Sequence, residues 1–233
     1  MKDFDMNLEP GMYDGYKAVQ QMILDNPDIS EKMNNITPWL ENWTGAFLHS
    51  VYHHFKHVNA YNSLLFCALE SQTMQLDWIR FSFCSGQYDL ALRELRNVIE
   101  SGMLFFKYDY MSEFRGLSVA EKYAAINNDI STNYRNGFGK TVFESSGYSD
   151  WTNVYYNIYK PLCRYTHTGN NIERAMDIDR NGFNEILEPY YYDVEIENCI
   201  FYFKQVIYTE IRLMEIVLKD VYGIDTKYVS IFD

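Results

Sequence analysis

The chain is poor in residues that interrupt helices, with only 5 prolines and 12 glycines among 233 residues. It also lacks stretches in which apolar and polar side chains alternate as they do in a half-buried strand. Both absences argue against a sandwich or barrel built from many short strands. We therefore predict an all-α protein, a bundle of four to five main helices with a long irregular connection and a peripheral N-terminal arm.

Basic residues are the minority among the charged ones. The chain has 20 Lys and Arg against 32 Asp and Glu, which gives a net charge of −12. Such a chain repels polyanions at long range, so broad binding to a nucleic-acid backbone is disfavoured and RNA is expected only at a local site. An acidic surface suits a basic protein partner instead.

Cysteines and long apolar runs are also scarce. The four cysteines form no C-x-x-C pair, so we expect reduced thiols, and neither a zinc site nor a cofactor is indicated. No run reaches 18 uncharged apolar residues, and MKDFDMNLEP lacks the basic and then apolar order of a signal peptide. We expect a cytoplasmic protein that makes no membrane contact.

The first strong helical pattern starts at about Trp39 or Thr44 and continues to about Arg80. We assign residues 1–40 to the N-terminal arm and residues 41–233 to a single helical-bundle domain. After a turn at Gly86, a second helix is predicted over Tyr88–Tyr108, antiparallel to the first. Its apolar stripe comprises Tyr88, Ala91, Leu92, Leu95, Ile99, Gly102, Met103 and Phe106.

Later helices have clear start and stop signals. Ser118–Glu121 forms a capping box and opens a helix to about Asn127. The Asn-, Gly- and Ser-rich stretch Asn128–Ser149 is predicted to be a long loop. A helix follows over Trp151–Tyr165, and Pro161 is expected to kink or restart it. The last helix starts near Asp193 and carries an unbroken apolar stripe, and Gly223 supplies its stop.

Three histidines are weak candidates for metal ligands. His49, His53 and His57 are spaced i, i+4, i+8 on the first long helix, so they line one face. Neutral imidazoles at this spacing can chelate a divalent metal if a further ligand comes from another helix. The alternative is an outward polar face or an interhelix contact, and no H-E-x-x-H motif is present.

A second candidate site lies on the flank of the second helix. Arg93, Arg96 and Glu100 line the edge of its apolar stripe, and Arg96 precedes Glu100 by one turn. The pair is either a structural ion pair worth a few tenths of a kcal/mol or a guanidinium held by a carboxylate and offered to an anion or to a catalytic histidine.

The only histidine outside the first long helix is His167. It follows Arg164 at the end of a predicted aromatic-rich helix and precedes small polar residues. An imidazole there can titrate near neutral pH and act as a general acid or base. The alternative is a histidine that interacts with the last carbonyls of the helix.

Two segments carry a resemblance to a known group of proteins. Gly86–Glu100 matches a Gly-x-Tyr turn that opens a helix bearing Ala, then Arg, then Glu four residues after it. A later Tyr-x-x-Leu-Ser/Cys-x-Tyr-x-His pattern is matched by Tyr159, Leu162, Cys163, Tyr165 and His167. The chain thus resembles the HEPN superfamily of helical bundles, many of which are metal-independent ribonucleases of toxin–antitoxin and antiviral systems.

The resemblance implies an active site at a dimer interface, in which an Arg precedes a His by four to six intervening residues. Here only two residues separate Arg164 from His167, so the sequence departs from that pattern. The candidate catalytic residues are His167, Arg164, Arg96 and Glu100.

Two functions follow as expectations. The first is a HEPN-like protein of a prokaryotic or phage conflict system, acting in defence or as a toxin by cleaving RNA without a metal. The alternative is a non-catalytic acidic interaction module that binds a protein partner through a Tyr-rich surface: Tyr155, Tyr156, Tyr159, Tyr190, Tyr191 and Tyr192. We also expect a homodimer, because Gly102 and the stripe of the last helix offer more apolar surface than one small bundle covers.

Overall fold

A computed structural model describes residues 10–36, 40, 62–132, 139–165 and 193–224. These residues are almost entirely helical and include no strand, which confirms the all-α prediction. The helices are α1 (Pro10–Asp25), α2 (27–36), α3 (Leu64–Cys84), α4 (Tyr88–Tyr110), α5 (Val119–Thr132), α6 (Gly139–Glu144), α7 (151–165) and α8 (Asp193–Tyr222). None of the described helices is both long enough and apolar enough to cross a bilayer.

Helix α4 lies at the centre and packs along both α3 and α8. Every residue of the apolar stripe predicted for α4 is buried, and so is the stripe of α8 from Ile196 to Leu218. Val19, Ile23, Ile29 and Ile36 of α1 and α2 join the same core. Gly102 and the stripe of α8 are therefore covered within the chain. They do not form the homodimer surface that we predicted, and that choice of surface is wrong.

The connection between α3 and α4 is the predicted glycine turn. Gly86 has a φ of 77°, in the left-handed region that side chains disfavour. The N–H of Gln87 donates to the carbonyl of Ser82 across this turn, at 2.9 Å. The short connection makes α3 and α4 antiparallel neighbours, as predicted.

The start of α3 differs from the prediction. Ser63 is extended, with φ −86° and ψ 127°, and its side chain accepts from the N–H of Phe66 as the cap. A helix from Trp39 or Thr44 cannot run through an extended residue, so the predicted single helix is wrong and α3 begins at Leu64.

The stretch predicted as a loop over residues 128–149 is partly helical. The capping box at Ser118 and Glu121 is present, since the Ser118 N–H donates to Glu121 Oε2 at 2.8 Å, but α5 continues to Thr132. Helix α6 follows within the same stretch, and the loop prediction is wrong there. Val142 and Phe143 of α6 are fully buried, so tertiary packing outweighs the turn-forming composition.

Helix α7 contains a wide turn beside Pro161, where the sequence predicted a kink or a restart. It is α-helical at Trp151–Asn153, π-helical at Val154–Tyr159, α-helical at Lys160–Leu162 and 3-10 at Cys163–Tyr165. Pro161 lies just after the π segment. A proline inside an α-helix collides with the carbonyl four residues earlier, and a wider turn relieves that contact.

Helix α8 ends as the sequence predicted. Gly223 has a φ of 70°, and the N–H of Ile224 donates to the carbonyl of Leu218 at 2.9 Å. A left-handed glycine followed by this backward hydrogen bond is a common helix stop.

Candidate functional site

A polar cluster forms where α4 meets α7. Arg96 Nη2 lies 3.0 Å from Glu100 Oε2, one helical turn further along α4. The same nitrogen donates to the hydroxyl of Tyr159 at 3.1 Å, and that hydroxyl donates to Glu100 Oε1 at 2.9 Å. Arg96, Glu100 and Tyr159 therefore form a closed triangle, in which the hydroxyl uses both its donor and an acceptor position.

The triangle is largely withdrawn from water. The side chain of Arg96 is 23% exposed and that of Glu100 is 10% exposed, while Tyr159 is almost completely buried. The guanidinium of Arg96 also contacts the Tyr159 ring, with 5.4 Å between Cζ and the ring centroid. The site thus presents part of one rigidly held guanidinium to the surface.

Burial and pairing act on the pKa of each group. Burial alone would lower the pKa of Arg96, but the hydrogen bond with Tyr159 and the charge of Glu100 raise it above its usual value. Burial raises the pKa of Glu100, and Arg96 and Tyr159 counter this only in part. Burial, followed by the Glu100 charge, raises the pKa of Tyr159, so its hydroxyl stays protonated at neutral pH.

Arg164 lies in the 3-10 turn Cys163–Tyr165, which packs against α4. Burial raises the pKa of Tyr202 on α8, and the charge of Arg164 counters this, so Arg164 lies near α8 as well. Cys163 hydrogen-bonds to Arg96 and helps to raise its pKa. The turn that carries Arg164 therefore begins beside the Arg96 triangle.

Not every predicted site residue belongs to this cluster. Arg93 is 51% exposed and its closest carboxylate is that of Glu94, at 3.8 Å. His167 lies outside the described residues, as do His49, His53 and His57. Within the described ranges, no group of three or more His, Cys, Asp or Glu side chains is arranged to hold a metal ion.

Sequence reasoning assigned Tyr159 to a surface for protein partners, whereas it is 3% exposed and belongs to the polar cluster. Of its neighbours, Tyr155 packs against the core and Tyr156 is exposed. One signal in the sequence could have assigned Tyr159 to the polar cluster. Tyr159 is the first residue of the same HEPN-like pattern that ends in His167, a candidate catalytic residue.

A second charged cluster lies at the junction of α3, α4 and α5. Lys122 Nζ contacts Asp109 Oδ1 at 2.8 Å, with side-chain exposures of 1% and 0%. Ser63 Oγ donates to the same carboxylate at 2.6 Å. No substrate reaches a pair that is sealed in this way, so it serves the fold.

Comparisons with known proteins add no relative. No family model matches the chain, and neither a curated protein nor a solved structure gives a significant match.

Proposed function

We propose that this chain is a HEPN-like cytoplasmic protein of a prokaryotic or phage conflict system that cleaves RNA without a metal. The observation that carries the proposal is the fixed guanidinium of Arg96, held by Glu100 and Tyr159 beside the turn that leads to Arg164. Phosphodiester cleavage needs a preorganised cation and a general base, and His167 follows this turn in the sequence by two residues.

The proposed reaction is attack by the RNA 2′-hydroxyl on the adjacent phosphate. His167 takes the 2′-hydroxyl proton, a bond forms between the 2′-oxygen and phosphorus, and the bond to the 5′-oxygen breaks. The products are a 2′,3′-cyclic phosphate and, once the leaving oxygen has been protonated, a 5′-hydroxyl. Arg96 and Arg164 bind the phosphate oxygens and stabilise the charge that develops on them.

Cleavage of a single-stranded RNA in EDTA tests this proposal. We expect cleavage by the wild type and a loss of about 100-fold or more in His167→Ala, because a general base contributes about that factor. RNA with 2′-deoxy substitution should resist cleavage. Arg93→Ala is the matched control, since Arg93 lies one turn before Arg96 but outside the triangle; its rate should stay close to that of the wild type.

Arg96→Ala should lower the melting temperature as well as the rate, since it leaves the buried Glu100 without its cation. His167→Ala should leave the melting temperature nearly unchanged. A wild type that cleaves no RNA, combined with a clearly destabilised His167→Ala, would overturn the enzyme proposal.

We also propose a homodimer, formed through an exposed apolar face of α3. Met74, Trp78 and Phe81 are 68%, 54% and 51% exposed, and their spacing places them on one face. The rings of Trp78 and Phe81 stack at 5.5 Å between centroids. Beside this face Asp77 and Arg80 pair with each other at 3.3 Å, so a two-fold contact through the apolar side chains leaves this ion pair intact.

Light scattering at micromolar concentrations tests this interface. We expect twice the monomer mass of 27.7 kDa for the wild type and the monomer mass for Trp78→Glu. Phe201→Glu on α8 is the matched control, because Phe201 is an equally exposed aromatic residue on another helix; it should remain dimeric. A monomeric wild type would contradict the proposed dimer.

The second candidate function is a non-catalytic interaction module. The observation that favours it is the same apolar face of α3 on a chain whose net charge is −12, which suits a basic protein partner. A wild type that is both monomeric and inert toward RNA would favour this function over the first.

A further inference from the structure

A second carboxyl group is buried at the centre of the bundle, away from the Arg96 triangle. Glu210 of α8 is 0% exposed and faces Gly102 of α4, where a Cβ atom would lie only 1.8 Å from Glu210 Oε1. From α3, Gln72 Nε2 donates to Glu210 Oε2 at 3.4 Å. Three helices therefore converge on one carboxyl group.

Gln72 and Glu210 each keep one oxygen atom without a hydrogen bond in the described structure. Gln72 Oε1 and Glu210 Oε1 are both buried, and neither has a hydrogen-bond partner among the residues that the structure describes. While Glu210 is ionised, its Oε1 and the Oε1 of Gln72 are both acceptors, so they cannot form a hydrogen bond with each other. A proton on Glu210 Oε1 converts it into a donor for Gln72 Oε1. An acid and an amide placed side by side can form two hydrogen bonds in opposite directions, which satisfies both buried oxygens.

Among the described residues, no nearby charge replaces this proton. Burial raises the pKa of Glu210 to about 8, and the amide of Gln72 counters this only in part. None of the described charged groups is among the causes that act on its pKa. Glu70 and Asp77 of α3 are exposed, and the buried carboxylates of α4 and α8 other than Glu210 itself have cations of their own: Glu100 has Arg96, Asp109 has Lys122 and Glu215 has Arg212. An ionised carboxylate here would have a single amide donor in an apolar surrounding, which is costly.

We propose that Glu210 and Gln72 form a proton-binding site that locks α3, α4 and α8 together as a neutral acid–amide pair. The folded bundle holds this proton at neutral pH, whereas an unfolded Glu releases it near its ordinary pKa of 4.5. The folded state therefore binds more protons than the unfolded state between that value and about 8. The stabilisation is complete in acid and is lost as the pH rises, which makes the three-helix junction loosen in alkali.

Urea unfolding of the full chain at a series of pH values tests this site. For the wild type, linkage of one proton predicts that the unfolding equilibrium constant rises about tenfold per pH unit between about pH 5 and about pH 8. Glu210→Gln keeps the shape and the hydrogen bonding of the acid, so it should remove most of this slope. Glu197→Gln, an exposed residue on the same helix, should keep it. A Glu210→Gln chain with the full wild-type slope would overturn the proposal.

A direct measurement on the wild type does not depend on whether the variant folds. Infrared difference spectra should show a protonated carboxyl group at pH 7 that disappears as the pH is raised above about 8. A wild type without any protonated carboxyl group at neutral pH would refute the site.

Discussion

Asp109→Ala is expected to destabilise the protein by about 3–5 kcal/mol, the usual cost of removing one partner from a buried ion pair. The carboxylate accepts from Ser63 Oγ at 2.6 Å, from the N–H groups of Leu64 and Leu65 at 2.9 and 3.0 Å, and from Lys122 Nζ at 2.8 Å. It therefore closes the start of α3 while holding α4 against α5. A loss of this size is a large share of the stability of an ordinary domain.

The two partners are not equivalent. Without Asp109, the Lys122 ammonium stays 1% exposed and, of the partners in the described part of the chain, keeps the carbonyl of Asn62 alone, at 2.7 Å. Without Lys122, the Asp109 carboxylate still lies at the N-terminus of α3, where the free N–H groups and the helix dipole favour a negative charge. Lys122→Met should therefore destabilise the protein less than Asp109→Ala does.

Chemical denaturation of the two single variants and the double variant measures this asymmetry. The double variant should lose less than the sum of the single losses, because neither charge is then left buried alone. Lys140→Met is the matched control: Lys140 pairs with Glu144 at 2.6 Å on the surface, and solvent screens such a pair. An Asp109→Ala loss as small as that of this control would contradict the prediction.

The helices that the sequence predicted well are those whose apolar stripe faces one continuous core. Helix α4 needed only the periodicity of its buried residues, and α8 was bounded correctly from Asp193 to the stop at Gly223. Both signals are local: the stripe repeats every three or four residues, and the left-handed glycine follows directly after the last turn. Such elements can be predicted from one sequence.

The start of α3 could not be predicted because its cause is distant in the chain. The N–H group of Leu64 is bound by Asp109, which lies 45 residues later. A pattern of apolar residues before Ser63 gave no sign of this break. The loop prediction failed for residues 128–132 for the same reason. Asp129 of α5 is held by Lys107 and Tyr108 of α4, and these distant contacts favour a helix over a turn.

Only the part of the candidate site that lies on one helix could be predicted from the sequence. Arg96 and Glu100 are one turn apart on a single helix, so their spacing alone predicted the ion pair. Tyr159 comes 59 residues after Glu100 and is the last residue of the π segment. Pro161 signals an irregular turn there, but no local pattern shows that this turn sets Tyr159 against Glu100. The sequence therefore predicted a pair, and the three-dimensional structure makes it a triangle beside the Arg164 turn.

Gly102→Ala is expected to destabilise the protein by about 3 kcal/mol, the upper end of the usual cost of overpacking a core. In most helices the same change is stabilising by about 1 kcal/mol, because Ala is the better helix former. Here a Cβ atom would lie 1.8 Å from Oε1 and 2.4 Å from Cδ of Glu210. The carboxyl group is fully buried among three helices, so it has no solvent-filled space into which it can move.

The sign of the effect can be reversed by removing the obstacle. In a Glu210→Ala background the carboxyl group is absent, and the methyl group introduced by Gly102→Ala fills part of the space that it leaves. Gly102→Ala should then be neutral or stabilising by up to about 1 kcal/mol, as helix propensity alone predicts. Gly116→Ala is the matched control, since a Cβ atom there meets nothing within 4 Å.

Urea unfolding of the four chains in this cycle, at one pH, gives the coupling energy between positions 102 and 210. We expect a coupling of about 2 kcal/mol or more, because each substitution changes the space available to the other. If Gly102→Ala cost the same with and without the Glu210 side chain, the helix backbone would be the obstacle. The close approach of α4 and α8 would then not depend on the buried carboxyl group, and Gly102 would have no part in holding Glu210 against Gln72.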